Sequence, residues 1–595
     1  MDGSPGAAGT RAAGKSIGEM QANADSIPEG PRRLEWEAVR RLYLPLTLLA
    51  LLTFAAGLGR GAMTDADEAF YAEAAREMVA SGDYLTPFFN YEHRFQKPIL
   101  YYWVTAAFYL GTGPTEAAAR LGAALSGLGL VLITAACARR WRDHDHALLA
   151  GAMVATAFGC YSIGRMALPD LPLAFFITLA TWTGLTGTLQ LEPQPRRWLL
   201  LSALAMALGF LTKGPVAVLL PVLVVMPVTL VERRQLGLSL ADLLLGSLVF
   251  LAVGLPWYGL MWERHGTAYL EGFFLGDNLE RFATDRFNDP RPWWFYLPVV
   301  FGGLLPWSPL MGTWWPGVRE TLQRRRRPSA STLRLLAWAA VPLVFYSLSI
   351  GKQPRYVLPV LPPLAMLLAD GVRRALAGRE APDSPAGQVP DRAPMSLLAG
   401  GSVTGAVLAV IGLLIWRARP LLIHVSASTT LLASAALVVA GLLVVGVSVS
   451  RRWRQLPLAL TAAGTVCVLA LQFGPLASAG DSAVEQVARV IARRHTPAHV
   501  VGTHQVFVRN LVFYAHVPTR DLPNDEALAA FFAGAGPRLL VTTVERLRAI
   551  EALAGQPLSR QLTVSYFNEA GIRLRTLLTP DPDRDLTQVV VVERP

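Results

Sequence analysis

Long apolar runs dominate this chain, and they restrict its fold more than any other feature. A helix needs about 20 apolar residues to cross a bilayer. About thirteen stretches are candidates on that criterion. They lie near 42–58, 117–138, 148–166, 171–189, 198–211, 215–231, 243–262, 294–315, 335–350, 356–368, 397–416, 430–449 and 456–477. The 595 residues are 52% hydrophobic and only 16% charged, and the mean hydropathy is +0.37. A soluble domain usually carries about 25% charge. The expected fold class is a polytopic α-helical membrane protein. The oily segment 99–110 is short and reads as interfacial or re-entrant; if it spans, every later orientation inverts.

The net charge of +11 does not indicate nucleic acid, because the basic residues cluster in short loops between oily runs. With the N-terminus inside, one face receives Arg139, Arg140 and Arg142; Arg196 and Arg197; Arg233 and Arg234; "RRRR" at 324–327; Arg373 and Arg374; and Arg451, Arg452 and Arg454. That distribution is the positive-inside pattern. Residues 1–41 then form a disordered inner tail and 42–478 the membrane domain, with outer loops at 59–116 and 263–293. The segment 381–394 reads as a polar inner loop. Residues 479–595 change character: "DSAVEQVARVIARR" has helical amphipathicity, and "HVVGTHQVFV", "RLLVTT" and "QVVVVERP" read as short buried strands. A small outer α/β domain is expected there. Cys137, Cys160 and Cys467 all sit in apolar runs, with neither a disulfide framework nor metal-ligand spacing.

The outer face collects chemistry. The first outer loop contains "MTDADEAFYAEAAREM". Each acid has a structural explanation: Asp65 and Glu68 have capping-box spacing, and Glu73 can pair with Arg76. Against these stands the company they keep. "RMALPDLP" places Asp170 at a span end, either as a site residue or as a helix N-cap. The same face receives Arg94 and Lys97 in "HRFQKP", Lys213 in "LTKGP", Arg281 in "NLERF", and Lys352, Arg355 and Tyr356 in "GKQPRY". Snorkelling explains one or two such cations, not all of them. Tyr101, Tyr102, Trp103, Trp257, Tyr258, Trp293, Trp294, Tyr296 and Trp307 read mostly as an interfacial belt, with a few placed to stack on a sugar. Acids, cations and an apolar surround describe a site for a phosphorylated lipid, the cations holding phosphate and an acid serving as base.

In "DEAFYAEAAREM", "FQKPILYYW", "RMALPDLP", "FLTKGP", "NLERF", "WFYLPVVFGGLLPWS" and "SLSIGKQPRYVLPVLPPLA" the chain resembles bacterial membrane glycosyltransferases of the GT-C fold that use lipid-phosphate sugar donors. Within that group it is most similar to the lipid A 4-amino-4-deoxy-L-arabinose transferases, relatives of the protein O-mannosyltransferases. The resemblance covers about 63–368 and the general plan of many spans with an outer C-terminal domain. It implies Asp67 as the catalytic acid/base and Asp170 as the second catalytic acid. It implies donor-phosphate contacts from Lys97, Arg281 and Tyr356; Lys213 and Arg355 join them from position and charge. Glu68, Tyr71, Arg94 and Lys352 complete the candidates. Three positions depart from the family pattern: Phe70 replaces an Arg, Gln96 a Glu and Asn278 a His. The last two weaken an expectation of bound metal, so no cofactor is expected and a divalent metal stays open.

The resemblance implies an inverting transferase in the bacterial inner membrane, with its N-terminus cytoplasmic and its C-terminal domain periplasmic. The donor would be a polyprenyl-phosphate-linked sugar, and the acceptor a periplasmic lipid or glycan, with lipid A leading. Membrane lipids are the expected surroundings, nucleic acid is not a partner, and a monomer is expected. The rival is a transporter or flippase of lipid-linked sugar, which would place ionisable groups at the midplane and show repeat symmetry. A scaffold whose outer domain does the work leaves Asp67, Asp170 and Lys97 without a role.

Overall fold

The computed structural model describes residues 36–594 except 66, 190–191, 232–238, 285–289, 324–327, 378–391, 477–481 and 568–572. The tail 1–35, the basic pair Arg233 and Arg234, the run 324–327 and most of the 381–394 loop therefore lie outside the described residues. By internal contacts the chain divides into Met1–Pro45 and Leu46–Pro595.

Helices fill the apolar stretches. Six are long and apolar enough to cross a membrane: Glu116–Trp141, Ala330–Leu348, Pro354–Ala377, Met395–Arg417, Ala427–Val449 and Trp453–Phe473. The number rises to nine if three bent pairs each count as one span. The remaining expected stretches are helical but weaker candidates. Asp170–Gly187 opens on a carboxylate, Pro195–Lys213 carries Arg196, Arg197 and Lys213, and Val216–Val231 has 16 residues. About thirteen helical stretches thus exist where the sequence suggested them, while the criterion of length and composition accepts six to nine among the described residues.

The bends have local causes. The pair His144–Thr156 and Phe158–Gly164 breaks by 54° at Ala157, where the backbone is extended and the Phe158 N–H donates to the Leu305 carbonyl at 2.9 Å. Leu240–Gly254 turns by 44° into Pro256–His265, whose opening proline lacks the N–H a continuous helix needs. Trp293–Gly303 and Ser308–Arg319 meet at 102°, so the stretch expected as a straight span near 294–315 folds back on itself. Leu100–Thr112 has 13 residues. At 1.5 Å per residue that is about 20 Å, short of the ~30 Å hydrocarbon core. It packs on the helix Asp67–Ser81, with the Tyr109 hydroxyl donating to the Ala72 carbonyl at 3.3 Å.

Two sheets are present among the described residues. A hairpin pairs β1 (Phe88–Phe89) with β2 (Glu92–His93), and its turn residues Asn90 and Tyr91 have φ of 56° and 64°. The C-terminal domain holds five strands: β3 (Val500–Thr503), β4 (Thr519–Asp521), β5 (Arg538–Thr543), β6 (Ser559–Phe567) and β7 (Leu586–Arg594). Their order is β4-β3-β5-β7-β6, with β3 parallel to β4 and β5, and β7 antiparallel to β5 and β6. Strand alternation sorts β7: Val589 and Val591 face one core with Val484, Val487 and Ile491, while Val590 and Val592 face another with Leu528, Phe531, Leu547 and Ile550. The expected amphipathic helix is Ala483–Arg494, closed at its start by a Ser482–Glu485 capping box. The expected strand in "HVVGTHQVFV" is shorter than the motif, because the chain leaves the sheet after Thr503 and turns through Gln505 and Phe507 with φ of 62° and 53°.

This domain sits on the first loop. Asp65 accepts the backbone N–H groups of Val508, Arg509 and Asn510 at 3.1, 2.6 and 3.1 Å. The Asn510 amide donates to the Met63 carbonyl at 3.0 Å. The Met63 N–H donates to the Tyr514 hydroxyl at 2.8 Å, and that hydroxyl donates to Glu116 at 2.9 Å. Asn90 both accepts from the Thr519 N–H, at 2.9 Å, and donates to the Thr519 carbonyl, at 2.7 Å. The acidic loop and the C-terminal domain therefore share one side of the molecule.

Candidate active site

Four separated segments bring their charges together. Asp67 is the first residue of Asp67–Ser81. Arg355 lies in a tight turn, Pro354–Val360, that leads into the helix Leu361–Ala377. Its guanidinium pairs with Asp67, and its Nε lies 3.4 Å from Asp170. The Lys213 ammonium donates to Asp170 at 2.5 Å and lies 4.8 Å from the centre of the Tyr356 ring. Lys213 ends its helix because Gly214 follows with φ of 93°, and a Cβ at Gly214 would meet the Phe273 ring at 2.5 Å. Only glycine suits that backbone and that space. Lys97 pairs with Asp277 of the second loop.

The two catalytic candidates differ in access. The Asp170 side chain is 4% exposed and that of Asp67 43%. Asp170 is not the N-cap that its position allowed. Pro169 holds that place, and the Asp170 carboxylate serves Lys213 and Arg355. Burial by itself would raise the Asp67 carboxyl. Arg355, by charge and hydrogen bond, outweighs it, and Lys213 and Lys97 add to the effect, so Asp67 is held below the usual carboxylate range.

Other candidates sit elsewhere. Glu68 is fully buried and accepts from Arg120 at 2.7 and 3.2 Å, from the Ala167 N–H at 2.9 Å and from Thr64. Arg120 also donates to the carbonyls of Leu58, Arg60, Gly61 and Ala62. This staple fixes the loop that carries Asp67. The expected Asp65–Glu68 capping box does not form, since Glu68 bonds Thr64 and Asp65 bonds the C-terminal domain. Glu73 and Arg76 pair as expected, at 2.6 and 2.7 Å. Tyr71 is buried behind Asp67 against Tyr101 and Tyr102. Arg94 lies over Phe70 and donates to the Tyr102 hydroxyl. Lys352 is buried and donates to the Ser349 carbonyl rather than to the carboxylates. Arg281 opens the short turn Arg281–Ala283; its side chain lies outside the described residues.

The belt reading of the aromatics holds for Trp103, Trp293 and Trp294, which are exposed. Tyr101, Tyr102, Trp257, Tyr258, Tyr296 and Trp307 are buried and form core instead. Gln96 and Asn278 offer neutral amides without the charge of a carboxylate, and the Asn278 amide donates to the Phe273 carbonyl. Among the described residues no three His, Cys, Asp or Glu side chains gather to hold a metal.

Asp277, Arg120 and Arg509 were not singled out in the sequence. Arg120 is a charged residue just inside an otherwise largely apolar helix, Glu116–Trp141, a signal of a buried partner. A further signal is the choice of cation. Of 54 basic residues only four are lysines, at positions 15, 97, 213 and 352. Lys97 and Lys213 pair with the carboxylates of the cluster and its rim.

The family described as dolichyl-phosphate-mannose-protein mannosyltransferase matches residues 39–264. An undecaprenyl phosphate-alpha-4-amino-4-deoxy-L-arabinose arabinosyl transferase of Proteus mirabilis is 33% identical over 331 residues, 54% of this chain and 58% of that protein. One from Pseudomonas fluorescens is 35% identical over 343 residues, 56% of this chain and 57% of that protein. The chain thus matches less than two thirds of the length of these relatives. In three dimensions it superimposes on ArnT of Cupriavidus metallidurans bound to undecaprenyl phosphate, with a TM-score of 0.69 and 24% identity over 93% of this chain and 98% of that one. The archaeal oligosaccharyltransferase AglB of Archaeoglobus fulgidus follows with a TM-score of 0.51 and 11% identity, over 90% and 74%. The chain is a multi-pass membrane protein of the GT-C fold that resembles the polyprenyl-phosphate-dependent aminoarabinosyl transferases and, through residues 39–264, the protein mannosyltransferases.

Proposed function

We propose that this protein is an inverting glycosyltransferase that moves a sugar from a polyprenyl-phosphate donor to a lipid or glycan acceptor at the periplasmic face of the inner membrane, with lipid A as the leading acceptor. The observation that carries the reading is the chain of charges Asp67–Arg355–Asp170–Lys213. It joins one accessible carboxylate to cations suited to a phosphate. The aminoarabinosyl transferase relatives and the undecaprenyl phosphate bound by ArnT support the donor class.

In this reading the donor phosphate exchanges for Asp67 on Arg355 and draws Lys213 and Lys97 toward it. The exchange frees Asp67 and raises its proton affinity, which a carboxylate held low by cations needs before it can act as base. An acceptor hydroxyl oxygen attacks the anomeric carbon from the face opposite the phosphate. The carbon–oxygen bond to phosphate breaks, its electron pair leaves with the polyprenyl phosphate, and the hydroxyl proton passes to Asp67. The cations stabilise the charge growing on the leaving phosphate. Asp170, buried between Lys213 and Arg355, positions both.

Asp67→Asn tests the proposal. The folded variant should bind polyprenyl phosphate and transfer sugar about 100-fold more slowly. Transfer near the wild-type rate would remove Asp67 from the chemistry. A reporter active only in the periplasm, fused within the C-terminal domain, should be active. Activity from a cytoplasmic reporter alone would reverse the orientation.

A further inference from the structure

The C-terminal domain does more than rest on the acidic loop. It delivers a charge. Arg509 follows a backbone turn in which Gln505 and Phe507 both adopt positive φ, which is costly for residues with side chains. Asp65 fixes the turn through three consecutive backbone N–H groups, the middle one being that of Arg509 itself. The exposed Arg509 guanidinium then lies 5.3 Å from the centre of the Phe70 ring. Arg94, from the other side of the first loop, lies 4.0 Å from the same ring centre. Arg94 spends its Nε on the Tyr102 hydroxyl at 3.1 Å. Among the described residues neither guanidinium has a carboxylate partner, whereas Lys97, Lys213 and Arg355 each pair with one.

Two like charges held against one aromatic ring repel each other, and the nearby Asp65 carboxylate is taken up by three backbone N–H groups rather than by either guanidinium. Ring contact leaves the guanidinium forks open, and an open fork matches the two oxygens of a phosphate. Phe70 stands one turn after Asp67 on the same helix, and residues at that spacing are neighbours on the helix surface. The pair of arginines therefore meets the helix one turn beyond the accessible carboxylate. The cations that face Asp67 most strongly, Arg355, Lys213 and Lys97, form a separate group.

We infer that Phe70, Arg94 and Arg509 form a second anion subsite, built jointly by the first loop and the C-terminal domain, that receives the phosphate of a phosphorylated glycolipid acceptor. The inference rests on the transferase reading for the word acceptor. It selects an anionic acceptor over a neutral glycan, and it gives the C-terminal domain a part in substrate choice.

The test uses the full-length protein in nanodiscs, with no sugar donor present so that nothing turns over. The probes are an acyl-free glucosamine disaccharide monophosphate, the same disaccharide without phosphate, and a short polyprenyl phosphate. Arg509→Ala should weaken the phosphorylated disaccharide by at least about tenfold, the worth of a charged hydrogen bond. It should leave the other two probes unchanged. Arg509→Lys should fall between, keeping the charge and losing the fork. Equal loss for both disaccharides, an undiminished preference for the phosphorylated one, or loss of polyprenyl phosphate binding instead would each overturn the subsite. If the wild-type protein transfers no sugar and the phosphate-dependent loss persists, the transferase reading falls and the anion subsite stands.

Discussion

Asp67 and Glu68 are neighbours in the chain, and each carboxylate faces an arginine, yet the two clusters they join are opposites. Around Glu68 the accounting closes. Its oxygens and the Arg120 N–H groups are matched by each other, by Thr64, by the Ala167 N–H and by four loop carbonyls, and the side chain is fully buried. Around Asp67 it does not close. Arg355 is shared between two carboxylates, Lys213 and Lys97 add positive field, and the acid stays within reach of solvent. A saturated cluster has one arrangement and can only hold. A shared one can exchange partners, which a site for an arriving phosphate requires.

Breaking the saturated cluster should give the largest effect. Arg120→Ala leaves Glu68 buried without its charge partner, and removing one member of a buried pair costs about 3–5 kcal/mol. Thermal unfolding in nanodiscs should show that loss; a melting temperature at the wild-type value would mean the staple is ornamental. Next comes the sharper comparison of adjacent residues. Asp67→Asn should cost about 100-fold in transfer at unchanged stability, while Glu68→Gln should cost stability first. Reversed outcomes would exchange the two roles.

A third carboxylate on the same helix supplies a pH test. Burial and a hydrogen bond to Glu73 push Glu77 up to about 8 from an ordinary 4.5. Because the folded value is the raised one, the stabilisation is complete below about pH 4.5 and is lost as pH rises through about 8. Melting temperature should decline over that window in the wild type, and Glu77→Gln, which stays neutral, should flatten the decline. A slope of the opposite sign would show that Glu77 is ionised in the fold. The smallest effect is expected at Lys352. With its ammonium on the Ser349 carbonyl, Lys352→Gln should cost about 1 kcal/mol of stability and leave the donor KM unchanged. A raised donor KM would place Lys352 among the phosphate ligands.

Much of this was legible in the chain. Apolar runs located the helices, motif resemblance pointed to Asp67 and Asp170, and position and charge added Lys213 and Arg355, because cations beside prolines at helix ends have few places to go. What stayed hidden depended on long-range partners. Asp65 fitted a local capping pattern, and only the folded C-terminal domain reveals that three distant N–H groups claim it. Glu68 read as a site acid until Arg120, 52 positions away, closed over it. The edge strand β6, "SRQLTVSYF", shows no run of buried residues, so hydrophobic pattern could not announce it. The 102° fold-back near 294–315 was also hidden, because length and apolarity do not report where a helix pair turns on itself.

The scarcity of lysine has a practical consequence. Arginine does not react with acylating reagents under conditions that modify a primary amine. A chain of 595 residues with four lysines therefore presents very few acylable side chains, and two of them pair with site carboxylates. Isotope-coded acylation followed by peptide mass spectrometry would read donor occupancy directly, as slowed modification at Lys97 and Lys213 against Lys15 as internal standard. The protein carries, in effect, its own footprinting label at the place where the phosphate is expected to bind.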